Sequence, residues 1–330
     1  MSGMGPTMER AINATITKEN YIPESIPLQD NCKTVIVDTE TTDFEANANI
    51  VHLAAVCDSL HFEAYMMPKV KIHPKASEVT GFSVSNNRLL YLGNVVETVS
   101  LETAANQFLS FLKSCSSQIL IVGHNIIRFD APIIIRFMEE QGLLESLCNL
   151  TFGFTDTIPL IRQGKIAKQD ALAKLYLTGP EWSSYHGTAH NALTDCLLLR
   201  GLLEHFSISD EVLKSKTLTT REFFQRRAVK EKQKINLPSL QPFKTCVSTA
   251  MLNTMAKNGL TVEELKSEFK IHGKKGIEAC LEVQINGKPR VTVNKKIIQS
   301  VTDCAEKLLS SENVSKELEN VNKNAESGQS

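Results

Sequence analysis

The stretch KTVIVDTE, residues 33–40, runs from a β-branched apolar segment straight into two carboxylates set two residues apart. Val35, Ile36 and Val37 predict a strand buried on both faces. Side chains at i and i+2 of a strand point the same way, so Asp38 and Glu40 share a face, about 7 Å apart along the chain. Unpaired, two such acids repel and raise each other's pKa. A divalent cation relieves that repulsion, and oxygen donors suit magnesium or manganese. Taken alone, the triplet reads equally as two exposed acids at a strand end, and a D-x-E arises by chance about once in a chain this long.

Outward from this strand the pattern stays that of a sheet. IVHLAAVC (50–57) and HFEAYMM (61–67) read as strands, and the gap at Asp58-Ser59-Leu60 predicts an antiparallel hairpin. Leu101, Ala105, Phe108, Leu109 and Leu112 recur at helical spacing behind a capping Ser100. QILIV (118–122) is a further buried strand, and Phe129 to Gly142 reads as a helix with Asp130 as its cap and Pro132 in its first turn. A strand near 152–155 precedes helices around 169–177 and 189–206. Strands that come first as a meander and then alternate with helices predict an α/β fold, a mixed sheet with helices on its faces.

Two further clusters carry chemistry. GHNIIRFD (123–130) follows a strand directly, so His124 and Asn125 lie at its carboxyl end, where α/β sheets tend to bind ligands. Asp130 stands where loop becomes helix, a position that favours a negative side chain with or without a metal. HNALTD (190–195) opens the helix that continues as CLLLRGLLEHF. Ala192, Cys196, Leu199, Leu203 and Phe206 form its apolar stripe, and Asp195, expected about a turn and a half inside, lies at the stripe's edge. A surface Asp with a capping His would account for this pair on its own. His186 precedes His190 by four residues and is an alternative base. His52 and His61 read as packing or surface groups, and His205 and His272 have no partner motif.

Strand with D-x-E, strand-loop-helix with HNxxRFD, then HxAxxD on a helix: in this order the chain resembles the DEDDh subgroup of the DnaQ-like 3′–5′ exonuclease superfamily, over roughly residues 31–210. The Arg before the aromatic residue, and IHPKASEVTGFSV (72–84) between the hairpin and the first helix, resemble the three-prime repair exonuclease branch. It also resembles the exonuclease-like C-terminal domain of the promyelocytic leukaemia protein and its free-standing fish relatives. The resemblance implies a ribonuclease H-like mixed five-stranded sheet with helices on both faces, plus a small C-terminal helical module. It implies Asp38, Glu40, Asp130 and Asp195 as ligands of two Mg2+ (or Mn2+) ions. Asp38 would bridge both, Glu40 and Asp195 would complete the shell of one, and Asp130 would hold the other partly through water. His190 would take the proton of the attacking water, and nucleoside 5′-monophosphates would leave a 3′ end. Thr41, Phe44, His124 and Asn125 are the implied substrate contacts, Phe44 by stacking on a terminal base. Where relatives carry Gly, this chain has Asp43, which tolerates positive φ less well.

Charge is unevenly spread. Residues 1–211 carry a net −9, residues 212–300 hold 18 Lys/Arg against 7 Asp/Glu, and residues 301–330 carry −3. The basic stretch suggests a polyanion partner, a nuclear localisation signal or simply a solvated helical surface. The domain reading is a polar arm over 1–30, an exonuclease domain over 31–210, a basic linker over 211–242, a helical module over 243–310 and a disordered acidic tail over 311–330. Eight scattered cysteines with no CxxC predict reduced thiols, and neither a secretory leader nor a membrane span is evident. The expected location is therefore nuclear or cytoplasmic. The absence of G-x-S-x-G and P-loop patterns argues against serine hydrolases and NTPases. The expected partner is nucleic acid, DNA 3′ ends ahead of RNA, with a homodimer and an unknown protein partner for the module left open. An RNA-trimming enzyme of the same superfamily and a non-catalytic interaction module are the alternative functions.

Overall fold

The computed structural model describes residues 21–45, 47–185, 190–285 and 287–327, with side chains as far as Ser311. His186 and residues 1–20 of the polar arm lie outside the described residues. The chain forms two compact units, Met1–Phe224 and Gln225–Ser330.

In chain order the first unit runs β1 (Lys33–Thr41), β2 (Ile50–Cys57), β3 (Leu60–Tyr65), α1 (Pro74–Thr80), β4 (Phe82–Ser85), β5 (Arg88–Tyr91), β6 (Asn94–Val95) and α2 (Leu101–Cys115). It continues with β7 (Ile119–Gly123), α3 (Asp130–Glu140), α4 (Leu144–Leu150), β8 (Thr151–Asp156), α5 (Ile158–Ile161) and α6 (Gln169–Tyr176). After these come α7 (Ala192–His205), α8 (Asp210–Ser215), β9 (Leu218–Thr219) and the start of α9 (Thr220–Asn236). The main sheet has the order β3-β2-β1-β7-β8-β9. β1 pairs antiparallel with β2 and parallel with β7, and β7 pairs parallel with β8.

Alternation along the central strands divides two cores. Val35, Val37, Ile119 and Ile121 face α2, α3 and α4, while Ile36, Leu120 and Val122 face α7. Asp38 and Glu40 have the parity of Ile36, so the period of the strand aims both at the α7 face. The parallel β1, β7 and β8 end on one side, and the acid motifs follow those ends.

The sheet has six strands where five were expected. The sixth, β9, is two residues long, too short for any periodicity to reveal. Gly153 admits it: a Cβ there would stand 2.4 Å from the Leu218 carbonyl oxygen, so only glycine lets β9 approach β8. Residues 72–84, expected as a loop, hold α1 and β4, and β4-β5-β6 form a separate three-stranded sheet. Its tight turn at Asn86-Asn87 has φ of 49° and 55°, the left-handed pair that a two-residue hairpin requires.

The second unit has its own core, with Leu240, Phe243, Met255, Leu265, Ile277 and Ile298 fully buried. Around it stand the rest of α9, a 3-10 turn (Gln241–Thr245), α10 (Thr249–Lys257), α11 (Val262–His272), α12 (Lys274–Glu282), the strand pair β10 (Gln284–Ile285) and β11 (Lys288–Pro289), and α13 (Lys295–Ser327). Thr261 caps α11 by accepting the Glu264 N–H, but Glu264 itself pairs with Arg290 at 2.7 Å instead of reaching back. The expected basic linker is mostly helix, because Arg226 to Lys234 lie within α9. The tail expected to be disordered is helical to Ser327, a continuation of α13 through residues that include good helix formers such as Glu, Lys and Ala. Among the described residues no helix is long and apolar enough to cross a membrane.

Candidate active site

The acids converge. Asp38 and Glu40 come from the end of β1, Asp130 from the start of α3, and Asp195 from the first turn of α7 rather than deeper in the helix. Glu40 and Asp130 are buried, and Asp38 and Asp195 partly so. Asp130 does not cap α3: Phe129 occupies the cap without a side-chain bond, and Asp130 Oδ1 instead accepts the Thr39 hydroxyl at 2.6 Å. A mere capping role, the simplest explanation for an acid at a helix start, is therefore not what Asp130 does. Asp195 accepts the His190 N–H on Oδ2 at 3.0 Å, and Gln169 Nε2 donates to the Asp195 carbonyl at 2.8 Å.

Glu40, His190 and Asp195 each offer a ligand atom, and these atoms lie within 4.8 Å of one another. Asp38 and Asp130 border that trio and interact with it electrostatically. Burial pushes Asp38 well above the usual carboxylate range, reinforced by Asp130, Asp195 and Glu40. Burial does the same to Glu40, with Asp195 and Asp130 adding to it. Asp130 and Asp195 are each held up at about 7, chiefly by burial, against the hydrogen bonds from Thr39 and from the His190 N–H respectively. Among the described residues, no lysine or arginine forms an ion pair with any of the four. Buried carboxylates without a basic partner are costly unless protonated or coordinated to a metal. This donor set of oxygens plus one imidazole therefore fits a divalent cation.

The other expected contacts divide. Phe44 is 54% exposed at the rim beyond β1, so it is not a core wedge. The loop that carries it is pinned by Arg136 of α3, whose guanidinium donates to the Asn47 and Ala48 carbonyls. Asp43 does not take a positive φ, so the turn has no need of the relatives' glycine. Thr41 is buried and its hydroxyl donates to the Asp43 carbonyl at 2.6 Å. His124, expected on the substrate, is held on both ring nitrogens by neighbours in the free chain. Its Nε2 bonds the Ala167 carbonyl, which can only accept, so that nitrogen carries the proton and Nδ1 accepts from the Thr157 hydroxyl at 3.0 Å. Asn125 takes φ +66° and donates its N–H to Asp156 at 3.1 Å.

Sequence reasoning missed Gln169, Asp156 and Tyr91. Tyr91 packs on Phe82 at 4.9 Å, and its phenol is raised by burial and then by Glu40 and Asp195. It missed His52 as well, read as a packing group. A polar residue inside the uniformly buried strand IVHLAAVC was the available signal, since its ring nitrogens must find partners.

Residues 236–308 match the family model described as PML, C-terminal domain. That match falls on the helical module, which the sequence left without a reading, while the acid motifs that carried the resemblance lie in the first unit. The chain is similar to the maternal protein exuperantia of Drosophila melanogaster, 27% identical over 139 residues, covering 38% of this chain and 26% of that protein. It is similar in structure to the zinc-bound E. coli exonuclease I–ssDNA complex, with 13% identity, a TM-score of 0.43, and 63% of this chain and 44% of that chain covered. E. coli exonuclease I in complex with a dT13 oligonucleotide matches at 14% identity and a TM-score of 0.41, covering 52% and 40%. The chain thus spans about a quarter of exuperantia and less than half of the exonuclease I chains.

Proposed function

We propose that the first unit is a divalent-metal-dependent 3′–5′ exonuclease that releases nucleoside 5′-monophosphates from DNA ends. The observation that carries this reading is the meeting of four acids from three distant segments, all raised in pKa and none paired with a lysine or arginine among the described residues, with an imidazole beside two of them. Asp38, Glu40, Asp130 and Asp195 would hold two cations. When bound, these lower the pKa of an attacking water and stabilise charge on the leaving 3′-oxygen. His190 accepts the proton of that water, and the Asp195 carboxylate holds the His190 backbone by accepting its N–H. Phe44 stacks on the terminal base from the rim. The basic residues of α9 would add sequence-independent affinity for a polyanion.

The test is degradation of 3′-tailed DNA and RNA of matched sequence with magnesium, with and without EDTA. The expected result is stepwise release from the DNA that EDTA abolishes and that Glu40→Ala or Asp195→Ala eliminates without unfolding the chain. Full activity in either variant refutes the assignment. Faster degradation of the RNA substrate moves the reading to RNA trimming, and no degradation of either refutes the enzyme.

A further inference from the structure

We propose that His52, Tyr65 and Glu63 form a positioning element that ties the start of α7, and with it His190 and Asp195, to the strand pair that carries Glu40. The proposal rests on reading the acid cluster as a metal site.

Three consecutive residues at the start of α7 are each anchored. The His190 N–H is held by Asp195. Asn191 caps the helix by accepting the Thr194 N–H, and its Nδ2 donates to the Tyr65 hydroxyl at 3.3 Å. The Ala192 N–H, one of the donors that a helix start leaves without an intrahelical partner, donates to His52 Nδ1 at 3.3 Å. Because that N–H can only donate, His52 Nδ1 presents a lone pair and the ring proton sits on Nε2, facing Glu63 Oε2 at 3.3 Å. The Tyr65 hydroxyl donates to the same Glu63 oxygen at 3.4 Å. His52 is fully buried and stacks on Tyr65, its ladder partner, with ring centroids 4.0 Å apart.

The other side of His52 completes the link. In the β1–β2 ladder His52 stands opposite Glu40, at the point where the register shifts. One residue thus neighbours an acid on β1 and holds the helix start that bears another. His190 needs such support, because it takes φ +68°, a conformation that a residue with a side chain keeps only where its surroundings enforce it.

The experiment compares the full chain with His52→Asn, His52→Gln and Tyr65→Phe. Asparagine Oδ1 lies as many bonds from Cα as histidine Nδ1, so it keeps an acceptor for Ala192. Glutamine keeps a donor toward Glu63 but has no acceptor at that position. Mn2+ affinity is read by calorimetry, and protection of the 190–195 amides by hydrogen exchange. His52→Gln is expected to weaken Mn2+ about 10–100-fold, the usual effect of losing a group that orients ligands, and to expose the Ala192 amide. His52→Asn is expected to retain most of the affinity. Tyr65→Phe keeps the ring stack and loses only the hydroxyl, so a smaller loss is expected. Equal affinity and equal protection in the Gln variant overturn the proposal, as does equal loss in the Asn and Gln variants, which would make ring packing the cause. No Mn2+ binding by the unsubstituted chain overturns the metal reading and this inference with it.

Discussion

Removing one acid from the cluster should stabilise the metal-free protein. Asp195 has a pKa of about 7 in the folded chain against an ordinary 3.8, and the first cause is burial. A raised carboxyl pKa means that the folded state holds its proton more tightly than the unfolded state does. Stability is therefore fullest below about pH 4, declines as pH rises toward 7 and is at its lowest above that. At about 1.4 kcal/mol per unit, the ionised group at pH 8 costs roughly 4 kcal/mol. Asp195→Asn removes that cost. It also turns one acceptor into a donor where His190 N–H and Gln169 Nε2 both donate, which returns about 1–3 kcal/mol. The net gain of about 1–3 kcal/mol predicts a rise of about 2–12 °C in the first unit's melting midpoint at pH 8 in EDTA. At pH 4 the ionisation cost is gone and only the hydrogen-bond cost is left, so the variant should be no more stable than the native chain. With excess Mn2+ the order should invert, because only the native acid set gains from binding. Calorimetric scans at pH 4 and 8, with EDTA or Mn2+, measure all of this. A variant less stable than the native chain at pH 8 in EDTA would refute the argument that these acids are held against their own charge.

Mn2+ binding should release protons near pH 6, because Asp130 and Asp195 ionise only near 7 in the free protein; binding heats in buffers of differing ionisation enthalpy count them. Phe44→Ala should weaken binding of a 3′ single strand by about 1–3 kcal/mol with little change in stability, given its exposure, and fluorescence titration reads the loss. Lys230→Glu with Lys234→Glu on α9 should flatten the salt dependence of DNA binding while leaving Mn2+ affinity alone. Single-strand binding by His190→Ala should be stronger with Ca2+ than with EDTA at pH 8, and an unchanged affinity would count against metal in the cluster.

What could be read from the residues follows from the range of the forces involved. Val35 to Val37 and Ile119 to Val122 announce buried strands because burial on both faces leaves no polar residue among them, and Ser100 caps α2 as local chemistry requires. Asp38, Glu40, Asp130, His190 and Asp195 were legible because each motif is compact along the chain. β9 was not legible, since two residues carry no period and its place depends on Gly153 in another strand. The β4-β5-β6 sheet did carry a local signal, the Asn86-Asn87 pair, which was passed over. The hydrogen bonds that hold His124 were not legible because its partners, Thr157 and Ala167, are more than thirty residues away. The same distance hid His52, whose partner at Ala192 lies across the fold.

The charge distribution poses a physical question that the site answers. A first segment with net −9 should repel a polyanion, and four clustered acids should repel it most where chemistry is to occur. At an effective dielectric near 20, one uncompensated charge about 5 Å from a phosphate costs about 3 kcal/mol. Two divalent cations would cancel four carboxylates, so loading would change the cluster from a barrier into a neutral seat. Protonation offers a second route, since Asp130 and Asp195 lie near 7. The two routes are not equivalent, because protonated acids no longer repel a phosphate but cannot hold the cations that the proposed hydrolysis would need. On the proposed function, the expected behaviour is binding without turnover on the acid side of neutrality and both together above it.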